Sequence, residues 1–244
     1  MRRLAVALVL LAVTGPSARG QASYRVTWRD AASVGVAVGV ALIPRVAGLP
    51  SGPPPCAPCD PATLSRFDRV ALHTFSPEAA TASNFLLLGV TAGSAAVLLE
   101  GADAARARAD IAVFGNALVW TLAATEWLKA AAHRSRPVLY TAAASAAASD
   151  RENRRSFPSG HASWAVAAAT SYLVISGRDH LRHRARNAVL LYAGALGVSV
   201  LRVSAGKHFP TDVLGGAALG TGIGWLVAKV HPTLPGPGRT SSRG

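Results

Sequence analysis

The sequence predicts an all-α fold, a bundle of about five to six core helices that cross a membrane. Half of the 244 residues are apolar and only 15% are charged. The apolar residues form separate runs rich in Ala, Gly, Val and Leu, and the charged residues cluster between the runs. The runs occupy residues 31–43, 84–99, 111–125, 162–177, 188–201 and 213–228.

The runs are shorter than the roughly 18–20 uncharged residues of a typical spanning helix. Flanking residues such as Trp127 and Lys129 extend them into the membrane interface. A soluble, alanine-rich bundle is the alternative, but the exclusion of charges from the runs favours the membrane. In the last run Gly216 and Gly220 lie one helical turn apart, which predicts a close approach between helices.

The first residues resemble a secretory signal or an N-terminal anchor. Arg2 and Arg3 precede an apolar run, and the small residues at 18–22 suit cleavage. Beyond this segment the apolar runs, the proline-rich cysteine loop and the composition of the last residues divide the chain further. We expect a signal or anchor at 1–22, a helix and a Pro- and Cys-containing outer loop at 23–83, the helical core at 84–230, and a disordered tail at 231–244.

The run 31–43 poses a topological question. It is the shortest run and ends at Pro44-Arg45, which favours a peripheral helix. A cleaved signal leaves the mature N-terminus outside, so this run then does not cross the membrane. If the run does cross, the N-terminus starts inside.

The two cysteines, Cys56 and Cys59, stand in a proline-rich loop as Cys-Ala-Pro-Cys. In an exported protein a local disulfide is the simplest interpretation. A redox-active pair usually lies at a helix N-terminus, and the surrounding prolines disfavour such a helix. Two cysteines alone do not make a structural zinc site.

The net charge of +13 comes from 22 Arg and 3 Lys. Such a balance indicates nucleic acid, a membrane surface or an anionic substrate as partner. Nucleic acid is disfavoured because the sequence has no zinc-finger spacing and no basic, aromatic-rich strand. We therefore expect a membrane and an anionic substrate as partners, and no nucleic acid.

The loops between runs predict an orientation. Arg106 and Arg108 precede the third run, and four arginines follow the fourth, at 178, 182, 184 and 186. The positive-inside rule places both loops in the cytoplasm, and the segments 137–160 and 202–212 on the outer face. Five outer arginines break the rule, and an anionic substrate offers a reason for them: Arg134, Arg136, Arg151, Arg154 and Arg155.

His161 belongs to the string Pro158-Ser159-Gly160-His161 before an apolar run. Ser159 is expected to cap a helix that begins at Gly160. The free N–H groups of such a helix start bind anions, and Gly160 lets a phosphate approach the backbone. An ordinary capped helix is the alternative.

His208 stands just before Phe209-Pro210-Thr211-Asp212, where proline favours the first turn of a helix. We expect Asp212 to accept a hydrogen bond from one ring nitrogen of His208, leaving the other as a free nucleophile. A purely structural His–Asp bond is the alternative, although ionisable groups at a membrane edge favour function.

Three fixed cations complete the candidate set: Lys129, Arg136 and Arg202. The planar fork of arginine suits a phosphate because it binds two oxygens at once. Lys129 also fits a snorkelling interface lysine or a partner of Glu126, and Arg136 fits a loop cation. The other histidines, at positions 73, 133, 180, 183 and 231, show no partner in the sequence and are expected at the surface or in loops.

Together these strings resemble the three-part signature of the type 2 phosphatidic acid phosphatase and vanadium haloperoxidase superfamily. All three parts occur in order, and the flanking apolar runs fit as well. One departure is Leu201, where the third part of the signature usually has serine before arginine. The matching strings are Lys129-x6-Arg136-Pro137, Pro158-Ser159-Gly160-His161 and Arg202-x5-His208-x3-Asp212.

The resemblance implies roles for these residues. His208 attacks phosphorus and forms a phosphohistidine, Asp212 orients it, and His161 protonates the leaving oxygen and then activates water. The phosphoryl oxygens are held by Lys129, Arg136, Ser159, Gly160 and Arg202. No metal or other cofactor is implied, since no cluster of carboxylates is present to hold magnesium, and vanadate is expected to inhibit.

We therefore expect a hydrolase of lipid phosphate or pyrophosphate monoesters in a bacterial inner membrane, with its site facing the periplasm. A soluble, secreted acid phosphatase acting on small phosphomonoesters is one alternative. A vanadate-dependent haloperoxidase is another, for which the chain is short and apolar. A non-enzymatic membrane protein is disfavoured by the intact signature.

Overall fold

The structure is a computed structural model that describes residues 23–234. Within this range the chain is helical, apart from loops and one isolated β-bridge between Tyr24 and Thr233, which confirms the all-α prediction. Six long helices form a bundle and a seventh is a single turn. They are α1 (Trp28–Val46), α2 (Pro77–Leu99), α3 (Ala104–Ala132), α4 (Ala144–Ala147), α5 (Gly160–Arg178), α6 (Arg184–Ser204) and α7 (Pro210–Val230).

The predicted signal or anchor at 1–22 and residues 235–244 of the predicted tail lie outside the described residues. The described part of that tail, residues 231–234, is paired with residues 23–30. The amide of Arg25 donates to the carbonyl of Pro232 at 2.9 Å. His231, for which the sequence shows no partner, has its Nε2 3.3 Å from Asp30 Oδ1.

The six long helices alternate in direction. At one end the amide of Ser76, before α2, donates to the carbonyl of Ser204, the last residue of α6. At the opposite end the Tyr24 hydroxyl, before α1, donates to the carbonyl of Ala228 near the end of α7. Helices α1, α3 and α6 therefore run toward the first end, and α2, α5 and α7 return from it. We call this first end the loop end, because the segments 47–76, 133–159 and 205–209 lie there.

Among residues 23–234, four segments are long and apolar enough to cross a membrane: Pro77–Leu99, Ala104–Tyr140, Arg184–Ser204 and Pro210–Val230. Their outer surfaces expose large apolar side chains, among them Phe85 on α2 and Val189 on α6. In water such surfaces are unfavourable, whereas lipid solvates them well. The structure thus has the form of a membrane protein.

Helix α5 lies at the centre, where it packs against α2, α3, α6 and α7. Its approach to α7 depends on glycines of α7. A Cβ on Gly216 would lie 2.6 Å from the carbonyl oxygen of Ser159, and one on Gly224 would lie 2.9 Å from that of Ala167. Real Cβ atoms essentially never come so close to a backbone atom, so a side chain at either position would force the two helices apart. The predicted close helix approach is confirmed.

Helix α1 lies alongside α3 and runs in the same direction. The indole N–H of Trp120 donates to Ser33 Oγ, and that of Trp127 donates to the carbonyl of Val40, both at 3.0 Å. Pro44 lies inside the helix rather than ending it. Although α1 is not among the four apolar segments, it carries the chain from the far end of the bundle to the loop end.

The predicted local disulfide is present between Cys56 and Cys59. The amide of Cys59 donates to the carbonyl of Leu139 at 2.7 Å, which ties this loop to the 3-10 helix Pro137–Tyr140. The crosslinked loop therefore packs against the segment that follows the first of the three motifs.

Candidate active site

The three motifs converge on one cavity of about 280 Å³ at the loop end. Helices α2, α3, α5 and α6 contribute to its wall, together with the end of α1 and two loops. Residues far apart in sequence thus surround one volume. Six of the eight predicted site residues line it: Lys129, Arg136, Gly160, His161, Arg202 and His208.

Three cations in this wall are largely buried and keep donors without a partner among residues 23–234: Lys129, Arg136 and Arg202. Lys129 is 7% exposed, and within residues 23–234 its ammonium has neither a hydrogen-bond partner nor an ion-pair partner. Arg202 is also 7% exposed, and its Nε is a buried donor without an acceptor in the described part of the chain. The same holds for Nε of Arg136. Buried unpaired cations are costly, so this arrangement favours an anion in the cavity.

The remaining polar wall is a network that the sequence analysis did not assign to the site. Glu126 is buried and binds two arginines, Arg45 from α1 with Nε–Oε2 at 2.8 Å and Arg155 from the loop before α5. Glu152 lies between Arg155 and Arg136, at 3.3 and 3.4 Å. Each of these two carboxylates, which line the cavity, is therefore held between two arginines.

His208 is 1% exposed and lies in the short turn between α6 and α7. Its Nδ1 is 2.8 Å from the backbone carbonyl oxygen of Ser156. A carbonyl only accepts, so Nδ1 carries the hydrogen and Nε2 keeps its lone pair. Burial lowers the pKa of His208 to about 3, and the positive charges of Arg136 and Lys129 contribute to the lowering. The ring is therefore neutral at neutral pH.

Asp212 lies behind His208 and does not line the cavity. The sequence led us to expect a hydrogen bond from His208, but the ring nitrogen bonds to Ser156 and lies 3.7 Å from Asp212 Oδ2. The carboxylate accepts instead from Ser156 Oγ at 2.5 Å, from the amide of Phe209 at 2.8 Å and from Arg134 at 2.6 Å. Asp212 can thus act on His208 through its charge and through Ser156.

His161 lies in the first turn of α5, as predicted, with Ser159 as the N-cap and Gly160 as the first helical residue. Its Nε2 is 2.7 Å from Asn84 Oδ1 of α2. This contact holds the ring of His161 at the cavity that His208 also lines. Asn84 was not singled out from the sequence, because it stands at the start of an apolar run.

Gly160 and Ser159 have different positions relative to the cavity. A Cβ on Gly160 would lie 3.5 Å from Nζ of Lys129, so this backbone borders the cationic wall directly. Ser159 is fully buried, and its hydroxyl accepts from the amide of Ala162 at 3.5 Å. In this structure the Ser159 side chain caps α5 and is not part of the cavity lining.

An anionic substrate does not account for all five arginines predicted on the outer face. Arg134 is held by Asp68 and Asp212, and Arg155 by Glu126 and Glu152, so neither is free for a substrate. Only Arg136 of the five lines the cavity. Sequence inspection cannot reveal these pairs, because their carboxylates come from other loops and helices.

The described residues contain no group of three or more His, Cys, Asp or Glu side chains suited to a metal ion. The cavity instead offers cationic donors, two imidazoles and the amide end of a helix, while its two carboxylates, Glu126 and Glu152, are already bound by arginines. Such a set is suited to an oxyanion such as phosphate rather than to a cation.

Comparisons with known proteins agree with this chemistry. A family model described as the PAP2 superfamily matches residues 110–235, just over half of the 244 residues. The matched segment contains all three motifs. No match was found among curated proteins or among solved structures.

Proposed function

Because this chain belongs to the PAP2 superfamily, we propose that it is a phosphatase that hydrolyses a lipid phosphate or pyrophosphate monoester through a phosphohistidine. The observation that carries the proposal is the cavity itself. Buried, unpaired donors of Lys129, Arg136 and Arg202 share this cavity with the neutral ring of His208. Positioning and charge stabilisation account for most of the catalysis in phosphoryl transfer.

In the first step the lone pair of His208 Nε2 forms a bond to phosphorus, and the bond from phosphorus to the ester oxygen breaks. The electrons of that bond stay on the leaving oxygen, which takes a proton from the cationic form of His161. Burial and the charge of Arg202 lower the pKa of His161 to about 4, and the negative charge of the phosphate stabilises its cationic form. The products are an alcohol, or a phosphate ester from a pyrophosphate, and a phosphohistidine that keeps the Nδ1 hydrogen. The carbonyl of Ser156 and the charge of Asp212 stabilise the resulting cationic ring.

In the second step the now neutral His161 takes a proton from water as the water oxygen attacks phosphorus. The bond between phosphorus and Nε2 breaks, and its electrons return to His208 as a lone pair. Inorganic phosphate leaves, and both histidines regain their starting protonation. Lys129, Arg136 and Arg202 hold the phosphoryl oxygens in both steps.

A lipid substrate is favoured by the other part of the cavity wall. Leu87 of α2, Leu122 of α3 and Trp164 of α5 line it on the side toward the middle of the bundle. Leu122 lies seven residues before Lys129 on α3, about 10 Å deeper along the helix at the usual rise per residue. An apolar leaving group directed toward the hydrocarbon region meets these side chains.

A periplasmic site in the inner membrane is supported by the charge distribution. The end of the bundle opposite the cavity carries eight arginines in its loops and helix ends, and none of them has an ion-pair partner among residues 23–234. They are at positions 25, 29, 106, 108, 178, 182, 184 and 186. Nine described arginines lie at the loop end, but four of them are ion-paired with carboxylates: Arg45, Arg134, Arg136 and Arg155. The positive-inside rule then orients the end whose arginines lack ion pairs toward the cytoplasm.

The test is phosphate release by the purified full chain in detergent, with EDTA present, from a long-chain lipid phosphate and from a short phosphomonoester. We expect release from the lipid, inhibition by vanadate, and loss of activity in His208→Asn. His180→Asn, at the opposite end of the bundle, is the matched control and keeps full activity. In His161→Asn a phosphoryl group from an activated aryl phosphate is expected to remain on His208, detectable as an alkali-stable adduct.

Three outcomes contradict the proposal. Full activity in His208→Asn excludes the phosphohistidine. Activity confined to a salt-washed soluble fraction, with no preference for lipid, supports a soluble acid phosphatase. Halide oxidation that depends on vanadate would identify the protein as a haloperoxidase.

A further inference from the structure

Arg134 connects two buried carboxylates behind the cavity. Its Nη1 donates to Asp212 Oδ1 at 2.6 Å, and its Nη2 donates to Asp68 Oδ2 at 2.7 Å. The guanidinium also lies over the ring of Phe209, 4.6 Å from the ring centre. The guanidinium of Arg134 is therefore held by hydrogen bonds at its edges and by an aromatic ring on one face, which fix its position.

Asp68 itself is held by the start of α7. The amide of Thr211 donates to Asp68 Oδ1 at 3.0 Å, and the hydroxyl of Thr211 lies 2.8 Å from Oδ2. Asp68 is 4% exposed and begins the 3-10 helix Asp68–His73 in the loop between α1 and α2. It therefore precedes the segment that matches the family model, and it does not line the cavity.

The charges of this set matter for His208. Asp68 and Asp212 each carry one negative charge and Arg134 one positive charge, so the set carries one net negative charge. Without Asp68, Arg134 would neutralise Asp212, and the carboxylate nearest to His208 would have little net effect on it. In a buried site with few solvent dipoles such a difference is large.

We propose that Asp68 is a positioning residue for the phosphoryl transfer, which shares Arg134 with Asp212 and so preserves a net negative charge beside His208. The inference rests on the proposed phosphohistidine mechanism. In that mechanism the ring of His208 becomes cationic as the bond to phosphorus forms. A net negative charge behind the ring stabilises this state more than the neutral ground state, so it accelerates the chemical step.

A purely structural role is the competing explanation, since Asp68 also joins a loop to the start of α7. The two roles differ in what they depend on. Asparagine has the shape of aspartate and keeps an acceptor for the amide of Thr211, but it lacks the charge. Asp68→Asn keeps the acceptor for the amide of Thr211, but it loses the charge and the acceptor for Arg134 Nη2. The double variant Asp68→Asn with Arg134→Gln therefore separates the two roles.

The experiment compares Asp68→Asn with the wild type in the full-length, detergent-purified chain. We expect kcat to fall on the order of tenfold, with KM within about twofold, because the charge acts on the transition state and Asp68 does not contact the cavity. Asp103→Asn is the matched control. Asp103 caps α3 at the opposite end of the bundle through the amides of Ala105 and Arg106, and its substitution leaves kcat unchanged.

A second variant tests the charge directly. In Asp68→Asn with Arg134→Gln the set again carries one negative charge, on Asp212. We expect kcat of this double variant to exceed that of Asp68→Asn alone, a non-additivity typical of directly coupled residues. A structural role predicts the opposite, since the second substitution removes further contacts.

The outcomes separate the two proposals. A wild type without phosphatase activity overturns the proposed function and, with it, the role of Asp68. An active wild type with an equally active Asp68→Asn overturns the role of Asp68 alone. A double variant slower than Asp68→Asn, or a rise in KM at constant kcat, also overturns it.

Discussion

The ring nitrogen Nδ1 of His208 lies 2.8 Å from the backbone carbonyl of Ser156, and this contact fixes the tautomer of the ring. The same residue holds Asp212 through its hydroxyl. Ser156 thus connects His208, the candidate nucleophile, to the carboxylate of Asp212. No direct hydrogen bond joins these two side chains, whose nearest atoms are 3.7 Å apart. Ser156 therefore acts on the site in two ways: its backbone carbonyl fixes the tautomer of His208, and its hydroxyl binds Asp212.

Ser156→Ala tests this separation. The substitution removes the hydroxyl contact to Asp212 but keeps the carbonyl that fixes the tautomer. A hydrogen bond to a charged group is worth roughly 1.5–3 kcal/mol, so we expect kcat to fall about 10- to 150-fold. Steady-state kinetics measures this fall, and a phosphohistidine still forms. Complete loss of phosphoenzyme in a folded variant would contradict the assignment of the tautomer to the carbonyl.

Lys129→Met tests the cationic wall. The ammonium is buried beside the backbone of Gly160 and has no partner among residues 23–234. We expect kcat to fall by roughly 10² to 10³, the usual effect of removing one preorganised donor from a site that stabilises developing charge. Lys229→Met, in the last turn of α7 at the opposite end, serves as control. Equal activities of the two variants would place the phosphate elsewhere.

The buried His208 predicts a specific pH dependence. Its pKa is lowered by burial to about 3, from an ordinary value of 6.5, so the nucleophile stays neutral well below pH 6. We expect the contribution of His208 to the acid limb of kcat/KM to appear only near pH 3 to 4. An acid limb of kcat/KM near pH 6.5 that is assigned to the titration of His208 would contradict this prediction.

The same shift links His208 to stability. The unfolded chain takes up a proton below pH 6.5 and the folded chain does not, so stability is lost as the pH falls from 6.5 toward 3. The expected slope is at most about 1.4 kcal/mol per pH unit for this group. Thermal unfolding in detergent at several pH values measures it, and His208→Gln, which cannot titrate, should show a shallower decline.

Gly220→Ala tests the contact between α5 and α7. A Cβ at Gly220 would overlap the carbonyl oxygen of Ser163, so the helices must separate. We expect a destabilisation of about 1–3 kcal/mol, seen as a lower Tm, with lower activity because Ser159 and Asp212 lie at the start of these helices. Gly222→Ala on the same helix has nothing within 4 Å of the added Cβ and is the control. Similar Tm values for both variants would contradict the packing.

Much of the fold was accessible from the sequence because its signals are local. The apolar runs predicted the helices, and Ser159 and Pro210 predicted where α5 and α7 begin. The sequence also predicted Lys129 and Arg202 as site cations, because each ends an apolar run, where a charged side chain is energetically costly. Helix lengths were less accessible: α2 begins at Pro77, before the apolar run at 84.

The partners of the site were not accessible, because they are contacts between distant segments. Arg134 and Arg155 look alike in sequence to Arg136, yet only Arg136 lines the cavity. The others are bound by Asp68, Asp212, Glu126 and Glu152. Asn84 and Ser156 gave no signal either, since a single polar residue in an apolar run or a loop has many ordinary explanations.

The sequence by itself therefore determined the all-α class, the family and the inventory of chemical groups, because periodicity, capping and motif spacing are properties of the chain. Only the tertiary structure decided which cations are free, which atom fixes His208 and which carboxylates share Arg134. The physical reason is that electrostatic balance depends on distances through space. The folding of α1, of the loop with Asp68 and of the segment before α5 around the cavity sets those distances.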